Sequence, residues 1–388
     1  MQRQLIRVPT KKFLPGLSLL ILLIGIGCNR TQVQIKNELT ELPLAFAEGF
    51  GIFQGEGYKV VELYKAFPNE HPTYRYLVLE DPGATPDING FDAVIKLPVD
   101  KVVLTSTTQI PHLDYLNCTD LLVGFPQLDL ISSDQARKRI ASGQVKDLGS
   151  GAQTNIEQVI DLAPDWMMIS TLGEDLKYLD LLKKADIPAI LNGEYLEQHP
   201  LGRAEWIKLT GTLTGRYEEA EVAFAEIVSA YEEAVQAVSD VHHQPTVMAG
   251  VMYKDIWYVP GSDSWGARLL EAAGGKYIFE AQKGTGSVQL NYEYVLDEAE
   301  DAEFWLGASD YTSLAAMAKA DPRYKHFKAF QHGNVYTYTL KKGPTGGIAY
   351  FELGYLRPDL ILKDLIKVLH PGLLPDYELY FYQKLNDQ

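Results

Sequence analysis

A long amphipathic helix is the feature of this sequence that most constrains its fold. From Arg216 to about Asp240, apolar side chains recur at alternating steps of four and three, which is a helical period. Acidic residues crowd its first turns, where the helix dipole favours negative charge, and neither glycine nor proline interrupts it. A helix over 216–241 would span roughly 35 Å and is predicted to be a rigid linker between two lobes; the alternative is a surface helix of one large domain. The periodic residues are Ala220, Phe224, Ile227, Tyr231, Ala234 and Val238.

The first 27 residues have the layout of a secretory signal. Four basic residues precede an apolar run, 13–27, that is short for a membrane span and contains Pro15. Gly27 directly before Cys28 resembles a bacterial lipobox, in which the cysteine becomes the lipidated first residue of the mature protein. We therefore expect a signal peptide over 1–27, lipidation of Cys28, and a membrane-anchored lipoprotein of the cell envelope that faces the periplasm or the exterior.

The charge of the chain limits its partners. The net charge is −16, and removal of the four basic residues in 1–27 would lower it to −20. Such an acidic chain is a poor binder of nucleic acid. Beyond Cys28 the only other cysteine is Cys118, which excludes an intramolecular disulfide in the mature protein and is expected to be a small buried side chain.

Strand and helix patterns divide the rest of the chain. Residues 28–100 contain β-rich stretches around a proline and asparagine turn region, which predicts a hairpin-like β extension. From 101 to 215, short apolar strands alternate with helices, and the alternation restarts over 242–388. Strands alternating with helices indicate parallel α/β units. The predicted fold is therefore α/β, with two Rossmann-like lobes joined by one long rigid helix and preceded by an N-terminal β extension.

Several segments in a fixed order resemble the substrate-binding proteins of ABC importers for iron-siderophores, haem and vitamin B12. The resemblance covers about 101–371 and depends on order and spacing, since no single segment is diagnostic. It does not extend to residues 58–98. The segments that carry it are Val102–Gln109, Asp120–Gly124, Asp147–Gly151, Asn155–Asp165, Ile187–Pro188, Glu205–Lys208 and Leu269–Gly275.

The resemblance implies that a ligand is held in the cleft between the lobes, with little hinge closure and no catalysis. It implies a ferric siderophore as ligand, with haem or a corrinoid as alternatives, and no resident cofactor or metal ion. The partners implied are this ligand, the transmembrane subunits of an ABC importer, and the membrane through the lipid anchor.

Residues just after strands are the candidate ligand contacts, because ligands of open α/β sheets collect outside the carboxyl ends of the strands. Their hydroxyl groups, small side chains and aromatic rings suit a bulky, partly apolar ligand. Turn and core roles explain each residue singly about as well. The candidates are Thr107, Thr108, Gln109, Ser150, Gly151 and Thr171 in the first lobe and Tyr253, Trp257, Tyr258, Ser287 and Tyr350 in the second.

In the family, one exposed glutamate on each lobe docks into basic sockets of the transmembrane subunits. The residues that match these motifs are Glu157, in the first lobe, and Glu271, in the second. The resemblance implies that the two carboxylates stand on opposite sides of the linker helix. The competing interpretation is that both are ordinary solvated carboxylates of helices.

Enzyme motifs are absent from the sequence. It contains no Gly-x-Ser-x-Gly elbow, no His-Glu-x-x-His pair, no phosphate loop ending in Gly-Lys-Ser/Thr and no complete Gly-x-Gly-x-x-Gly. The eight histidines are scattered, which does not indicate a zinc or manganese site. Two other classes stay open. They are an enzyme that uses the same cleft, since fold does not fix function, and a surface lipoprotein that binds a protein partner.

Overall fold

The computed structural model describes residues 39–387, except 69–71, 82, 85, 87–88, 150–153 and 171–176. No helix within this described part is long and apolar enough to cross a membrane. Cys28 and the segment 1–27 lie outside it.

The N-terminal extension is a five-stranded sheet rather than a single hairpin. Its strands lie in sequence order and are antiparallel, except that the last two are parallel. Alternate residues such as Ile52, Val61 and Tyr76 belong to the main apolar core, so one face of the sheet packs on the body of the protein. The opposite face carries a small separate cluster of Tyr58, Val60 and Leu77. The strands are Thr40–Leu42 (β1), Phe50–Gly55 (β2), Tyr58–Leu63 (β3), Tyr74–Leu79 (β4) and Ala93–Lys96 (β5).

The first lobe contains a parallel five-stranded sheet in the order β10-β9-β6-β7-β8. Its central strands are buried on both faces, as expected for a parallel sheet covered by helices. The strands are Val102–Leu104 (β6), Leu122–Phe125 (β7), Lys146–Asp147 (β8), Trp166–Ser170 (β9) and Ala189–Asn192 (β10). The helices are Ile110–Tyr115 (α1), Asp134–Ala141 (α2), Ile156–Leu162 (α3), Lys177–Lys184 (α4), Pro200–Glu205 (α5) and Ile207–Thr214 (α6).

The linker helix predicted from the periodicity is Tyr217–Ala237 (α7). Five of the six periodic residues are buried, and the sixth, Val238, is the C-terminal cap of the helix. Gly215 ends α6 with a φ of 70°, a left-handed conformation that glycine adopts without steric cost, and α7 begins two residues later. The helix packs against α6 of the first lobe and against a late helix of the second lobe, so it is fixed to both.

The second lobe repeats the parallel arrangement and adds a small antiparallel sheet. The main sheet has the order β14-β11-β16-β17-β18, with only β18 antiparallel, and the small sheet has the order β12-β13-β15. The strands are Thr246–Ala249 (β11), Val251–Tyr253 (β12), Ile256–Pro260 (β13), Lys276–Tyr277 (β14), Ser287–Leu290 (β15), Phe304–Leu306 (β16), Val335–Thr337 (β17) and Gln383–Lys384 (β18). The helices are Trp265–Ala272 (α8), Tyr292–Ala299 (α9), Leu314–Ala320 (α10), Lys328–Gln331 (α11), Ala349–Leu353 (α12) and Pro358–Leu369 (α13).

The lobes also meet through polar contacts away from α7. The Glu352 carboxylate of α12 accepts hydrogen bonds from the backbone N–H groups of Ser132 and Ser133 in the first lobe, at 2.6 and 2.7 Å. Arg357 Nη1 donates to the Tyr115 hydroxyl of α1 at 2.6 Å. The apolar core is continuous through the extension and both lobes, so these contacts reinforce an interface that is already packed.

Candidate binding cleft

A cavity of about 480 Å³ lies where the second lobe meets α5 of the first. Gly250, Gly307 and Tyr338 line it, and they directly follow the parallel strands β11, β16 and β17. The cavity therefore opens at the carboxyl ends of these strands, where ligands of open α/β sheets collect. Tyr195 and Arg203 supply the wall from the first lobe.

Seven aromatic side chains line the cavity. The rings of Tyr338 and Tyr350 are stacked, with centroids 4.9 Å apart, and Phe351 meets both edge-on. Trp265 lies edge-on to Tyr355 at 5.1 Å. Burial raises the pKa of Tyr338, Tyr350 and Tyr355, so these phenols keep their protons at neutral pH and remain hydrogen-bond donors.

Arg203 is the one charged side chain among the described residues that line this cavity. It is 4% exposed, and burial lowers the pKa of its guanidinium. The guanidinium carbon lies 4.8 Å from the ring centre of Trp265 and 4.4 Å from that of Tyr355, both in the second lobe. A cation over aromatic faces is stabilised by their quadrupoles, so Arg203 is held against two rings of the opposite lobe.

Backbone carbonyls fix the orientation of Arg203. Its Nε donates to the carbonyl oxygen of Glu197 at 3.0 Å, and its Nη2 donates to that of Tyr195 at 2.8 Å. Nη1 has no hydrogen-bond partner within the described part of the chain. Since buried N–H groups without partners cost free energy, the two N–H groups of this nitrogen are suited to oxygen atoms of a ligand.

Polar groups after the strands of the first lobe bond mainly to one another. Gln109 Nε2 donates to Ser170 Oγ at 3.0 Å, and the Thr108 hydroxyl donates to the Glu194 carboxyl group. Glu194 is almost fully buried, and burial raises its pKa to about 7. Its Oε2 has no partner among the described residues. This network therefore holds one protonatable carboxyl group next to the wall that carries Arg203.

Of the predicted ligand contacts within the described residues, two, Ser287 and Tyr350, line the cavity. Thr107 is half-buried, and Thr108 and Gln109 are buried in the polar network of the first lobe. Ser150, Gly151 and Thr171 lie outside the described residues. The binding roles of all these residues stay predictions.

The predicted aromatic ligand contacts on β12 and β13 differ in how deeply their side chains are buried. Trp257 is fully buried and packs against Trp305, Tyr324 and Phe327, with ring centroids 5.2–5.7 Å away. Tyr253 is 61% exposed near the turn that joins β12 to β13, and Tyr258 is half-buried. We therefore expect Trp257 to act on stability rather than by touching a ligand.

Arg203 was not among the contacts expected from the sequence, because it does not follow a strand. It lies inside α5, in a stretch that is buried throughout. An arginine surrounded by small and apolar residues, Leu201, Gly202 and Ala204, was the one local signal that could have singled it out, since arginine is rarely buried without a partner.

The predicted docking carboxylates are both exposed. Glu157 lies in the first turn of α3, whose Asn155 side chain caps the N-terminus, and Glu271 lies in the last turn of α8. Glu271 also borders a second cavity of about 560 Å³ with Arg268 and Tyr231 of α7. Across the described chain, no group of three or more histidine, cysteine, aspartate or glutamate side chains is placed to hold a metal ion.

Comparison with known families identifies the class. The model of the periplasmic binding protein family matches residues 102–341, and the chain belongs to this family. An uncharacterised lipoprotein of Methanocaldococcus jannaschii is 27% identical over 302 residues, which cover 76% of this chain and 70% of the relative. A second lipoprotein from that organism is 24% identical and covers 84% of this chain and 86% of its own length.

Solved structures share the fold at low sequence identity. The triscatecholate siderophore binding protein FeuA from Bacillus subtilis, complexed with ferri-bacillibactin, has a TM-score of 0.55 and 17% identity, covering 72% of this chain and 95% of that one. The periplasmic haem-binding protein RhuT from Roseiflexus has a TM-score of 0.55 and 14% identity, with 71% and 99% covered. CeuE from Helicobacter pylori with bound Ni(II) has a TM-score of 0.56 and 18% identity, with 73% and 88% covered.

Proposed function

We propose that this chain is the extracytoplasmic substrate-binding component of an ABC importer, and that its cleft binds an anionic iron chelate or haem without performing chemistry on it. The observation that carries the ligand class is Arg203, a buried cation whose Nη1 group has no partner among the described residues, in a cavity lined by several aromatic rings and no other charged side chain among the described residues. A carboxylate or catecholate oxygen would satisfy that group, while planar groups of the ligand would lie on Tyr338, Tyr350 and Trp265.

Three probes separate the ligand classes. Haemin carries two carboxylates, a ferric tris-catecholate complex carries a net negative charge, and cyanocobalamin is neutral overall. We expect haemin or the ferric complex to bind at micromolar concentration or below, measured by fluorescence quenching and by titration calorimetry. A corrinoid is the third candidate of the resemblance, but the aromatic cavity with its single cation favours the two anionic probes. If none of the three binds, the proposed ligand class is wrong.

Replacement of Arg203 tests its role directly. Arg203→Met keeps the length of the side chain and removes the charge and the donors. Hydrogen bonds to charged groups contribute about 1.5–3 kcal/mol, so affinity for an anionic probe should fall roughly 10- to 150-fold. Arg139→Met on the first lobe is the matched control, because Arg139 bonds to Gln144 and to the carbonyl of Leu122, away from the cavity. Equal affinities in the two variants would contradict the assignment.

We also propose that residues 1–27 are a signal peptide, that Cys28 is lipidated, and that the mature protein is tethered to a membrane outside the cytoplasm. The basic start, the apolar run and the Gly27-Cys28 junction support this. We propose that the mature chain is divided into four parts. They are an extension over 28–100, a first lobe over 101–215, the linker over 216–241 and a second lobe over 242–388. Mass spectrometry of the mature N-terminus tests the anchor, since an unmodified Cys28 would refute it.

A further inference from the structure

A segment of the N-terminal extension, residues 43–49, is bound through backbone groups to α5 and to the loop that precedes it; this segment is called the strap below. Five consecutive backbone N–H groups of the strap donate to only two carboxylates, those of Glu205 and Glu197. Both carboxylates are buried, at 0% and 5% exposure. The bonds are Ala45 N to Glu205 Oε1 at 2.9 Å, Phe46 N and Ala47 N to Glu205 Oε2 at 2.8 Å each, and Glu48 N and Gly49 N to Glu197 Oε1 at 3.0 and 2.8 Å.

The two carboxylates that hold the strap flank Arg203 in sequence. Glu205 is two residues after Arg203 and ends α5, and Lys208 Nζ pairs with it at 3.0 Å. Glu197 lies in the loop before α5, and its own carbonyl oxygen accepts the bond from Arg203 Nε. One residue therefore bonds to the strap through its side chain and orients the arginine through its backbone.

The extension contacts the same loop at two more points. The Tyr76 hydroxyl of β4 accepts a hydrogen bond from Leu191 N at 3.1 Å, just before the loop begins. The carbonyl oxygen of Lys65 lies only 1.9 Å from where a Cβ on Gly193 would stand, so the backbones are in direct contact there. Tyr195, which accepts the other bond from Arg203, lies between these points and Glu197.

We infer that the strap and Glu197 position Arg203 for the ligand, so that the N-terminal extension is a working part of the cleft. Arg203 would contact the ligand, and Glu197 would act only through Arg203. The matched family region begins at residue 102, so this device is additional to the part of the chain that defines the family. The inference rests on the proposed function for its meaning, but the positioning itself can be measured without any ligand.

The first measurement is hydrogen exchange at Arg203 Nε–H, observed by nuclear magnetic resonance with labelled arginine and assigned by its loss in Arg203→Lys. In the wild type this N–H is buried and bonded, so it should exchange slowly. Glu197→Gln removes the negative charge that strengthens the strap bonds and turns Oε2, which accepts from Glu48 N at 3.2 Å, into a donor. Exchange should then accelerate about tenfold or more because the attachment of the loop is weakened. Glu226→Gln, the same change on the exposed face of α7, should leave exchange as in the wild type.

A second variant covers the case in which Glu197→Gln does not fold. Gly49→Ala keeps every charge but places a Cβ 2.9 Å from Glu197 Oε1 and from Trp206 Cζ2, which displaces the carboxylate. The same acceleration is expected at Arg203 Nε–H. Unchanged exchange in a folded Glu197→Gln or Gly49→Ala protein overturns the positioning role.

The second measurement is a double-mutant cycle with haemin or the ferric tris-catecholate complex. Glu197→Gln should weaken binding about tenfold in the wild-type background and leave it unchanged in the Arg203→Met background, because the effect passes through Arg203. A merely structural role of Glu197 predicts equal losses in both backgrounds. If the wild type binds no probe, the proposed function fails, and the exchange measurement still decides the positioning role.

Discussion

The two lobes present the ends of their parallel strands to the cleft in different ways. In the first lobe, the polar side chains after the strands bond to one another, as Gln109 does to Ser170 and Thr108 to Glu194. In the second lobe, the strands end at glycines and tyrosines that line the cavity, such as Gly250, Gly307 and Tyr338. Two largely parallel sheets with different strand orders therefore yield a polar support on one side and an aromatic surface on the other, with Arg203 reaching across from the first lobe.

The largest expected effect on stability comes from removing a buried aromatic side chain of the second lobe. Trp257→Ala removes a fully buried indole from contact with Trp305, Tyr324 and Phe327. Large-to-small changes of this kind cost about 3–5 kcal/mol in the free energy of unfolding. Chemical denaturation should show that loss, whereas Tyr253→Ser, at an exposed position, should stay within about 0.5 kcal/mol. A stable Trp257→Ala protein with weakened ligand binding would contradict the separation of core from cleft.

The next largest effect on stability is expected in the first lobe, in the loop before α5. Gly193→Ala would place a Cβ 1.9 Å from the Lys65 carbonyl oxygen, and the backbones must move apart to admit it. Such overpacking costs about 1–3 kcal/mol. The matched change in the second lobe is Gly286→Ala, where no atom lies within 4 Å of the added Cβ, so its cost should stay within about 0.5 kcal/mol. Equal denaturation midpoints for the two variants would show that the contact with Lys65 does not constrain the loop at Gly193.

Both lobes should contribute to a pH dependence of the free energy of unfolding, because each lobe buries a glutamate. Burial raises the pKa of Glu194, and likewise that of Glu352, to about 7 from an ordinary value of 4.5. Between these values the folded protein keeps a proton that the unfolded chain releases. The free energy of unfolding therefore falls as pH rises, by up to about 1.4 kcal/mol per pH unit for each group.

Glutamine variants isolate this contribution. Glu194→Gln should remove one such slope between about pH 4.5 and 7, and Glu352→Gln should remove a similar one. Glu226→Gln on the exposed face of α7 is the control. The measurement is a set of denaturation curves recorded across that pH range, and slopes in the first two variants that equal the wild-type slope would refute the assignment.

The smallest effect on the folded protein is expected at the two predicted docking carboxylates, one on the outer surface of each lobe. Glu157→Lys and Glu271→Lys change exposed residues, so stability should stay within about 0.5 kcal/mol and ligand affinity should not change. Rim charges mainly set association rates, so each single variant should slow uptake through the cognate importer and the double variant should abolish it. Normal uptake by the double variant, or loss of ligand binding with uptake, would contradict docking.

Local patterns in the sequence predict much of the fold. The period of Ala220, Phe224 and Ile227 identifies α7 because burial on a helix follows the helical repeat directly. The alternation of strands and helices predicts the two parallel sheets for a similar reason. The five-stranded extension was predicted only as a hairpin, since its sheet depends on β4 pairing with β5 across a loop whose length does not indicate strand pairing.

The site was less predictable because its contacts are distant in sequence. The strand-end rule selects Tyr350 and Ser287, which line the cavity, but also Trp257, which the packing of Trp305 and Phe327 encloses. Burial of a particular aromatic ring depends on neighbours that no local period specifies. The strap is a still clearer case, because Glu205 meets Ala45 across 160 residues of sequence.

The polar contacts that join the lobes away from α7 have a kinetic consequence. A pair of bodies linked by one helix could swing about its ends, but here the Glu352 carboxylate also holds Ser132 and Ser133, and Arg357 holds Tyr115. With attachments at separate places, a swinging motion must first break one of them. Exchange of a bound molecule would then need only local opening at the cleft rim, whereas separation of the lobes would need these contacts to break.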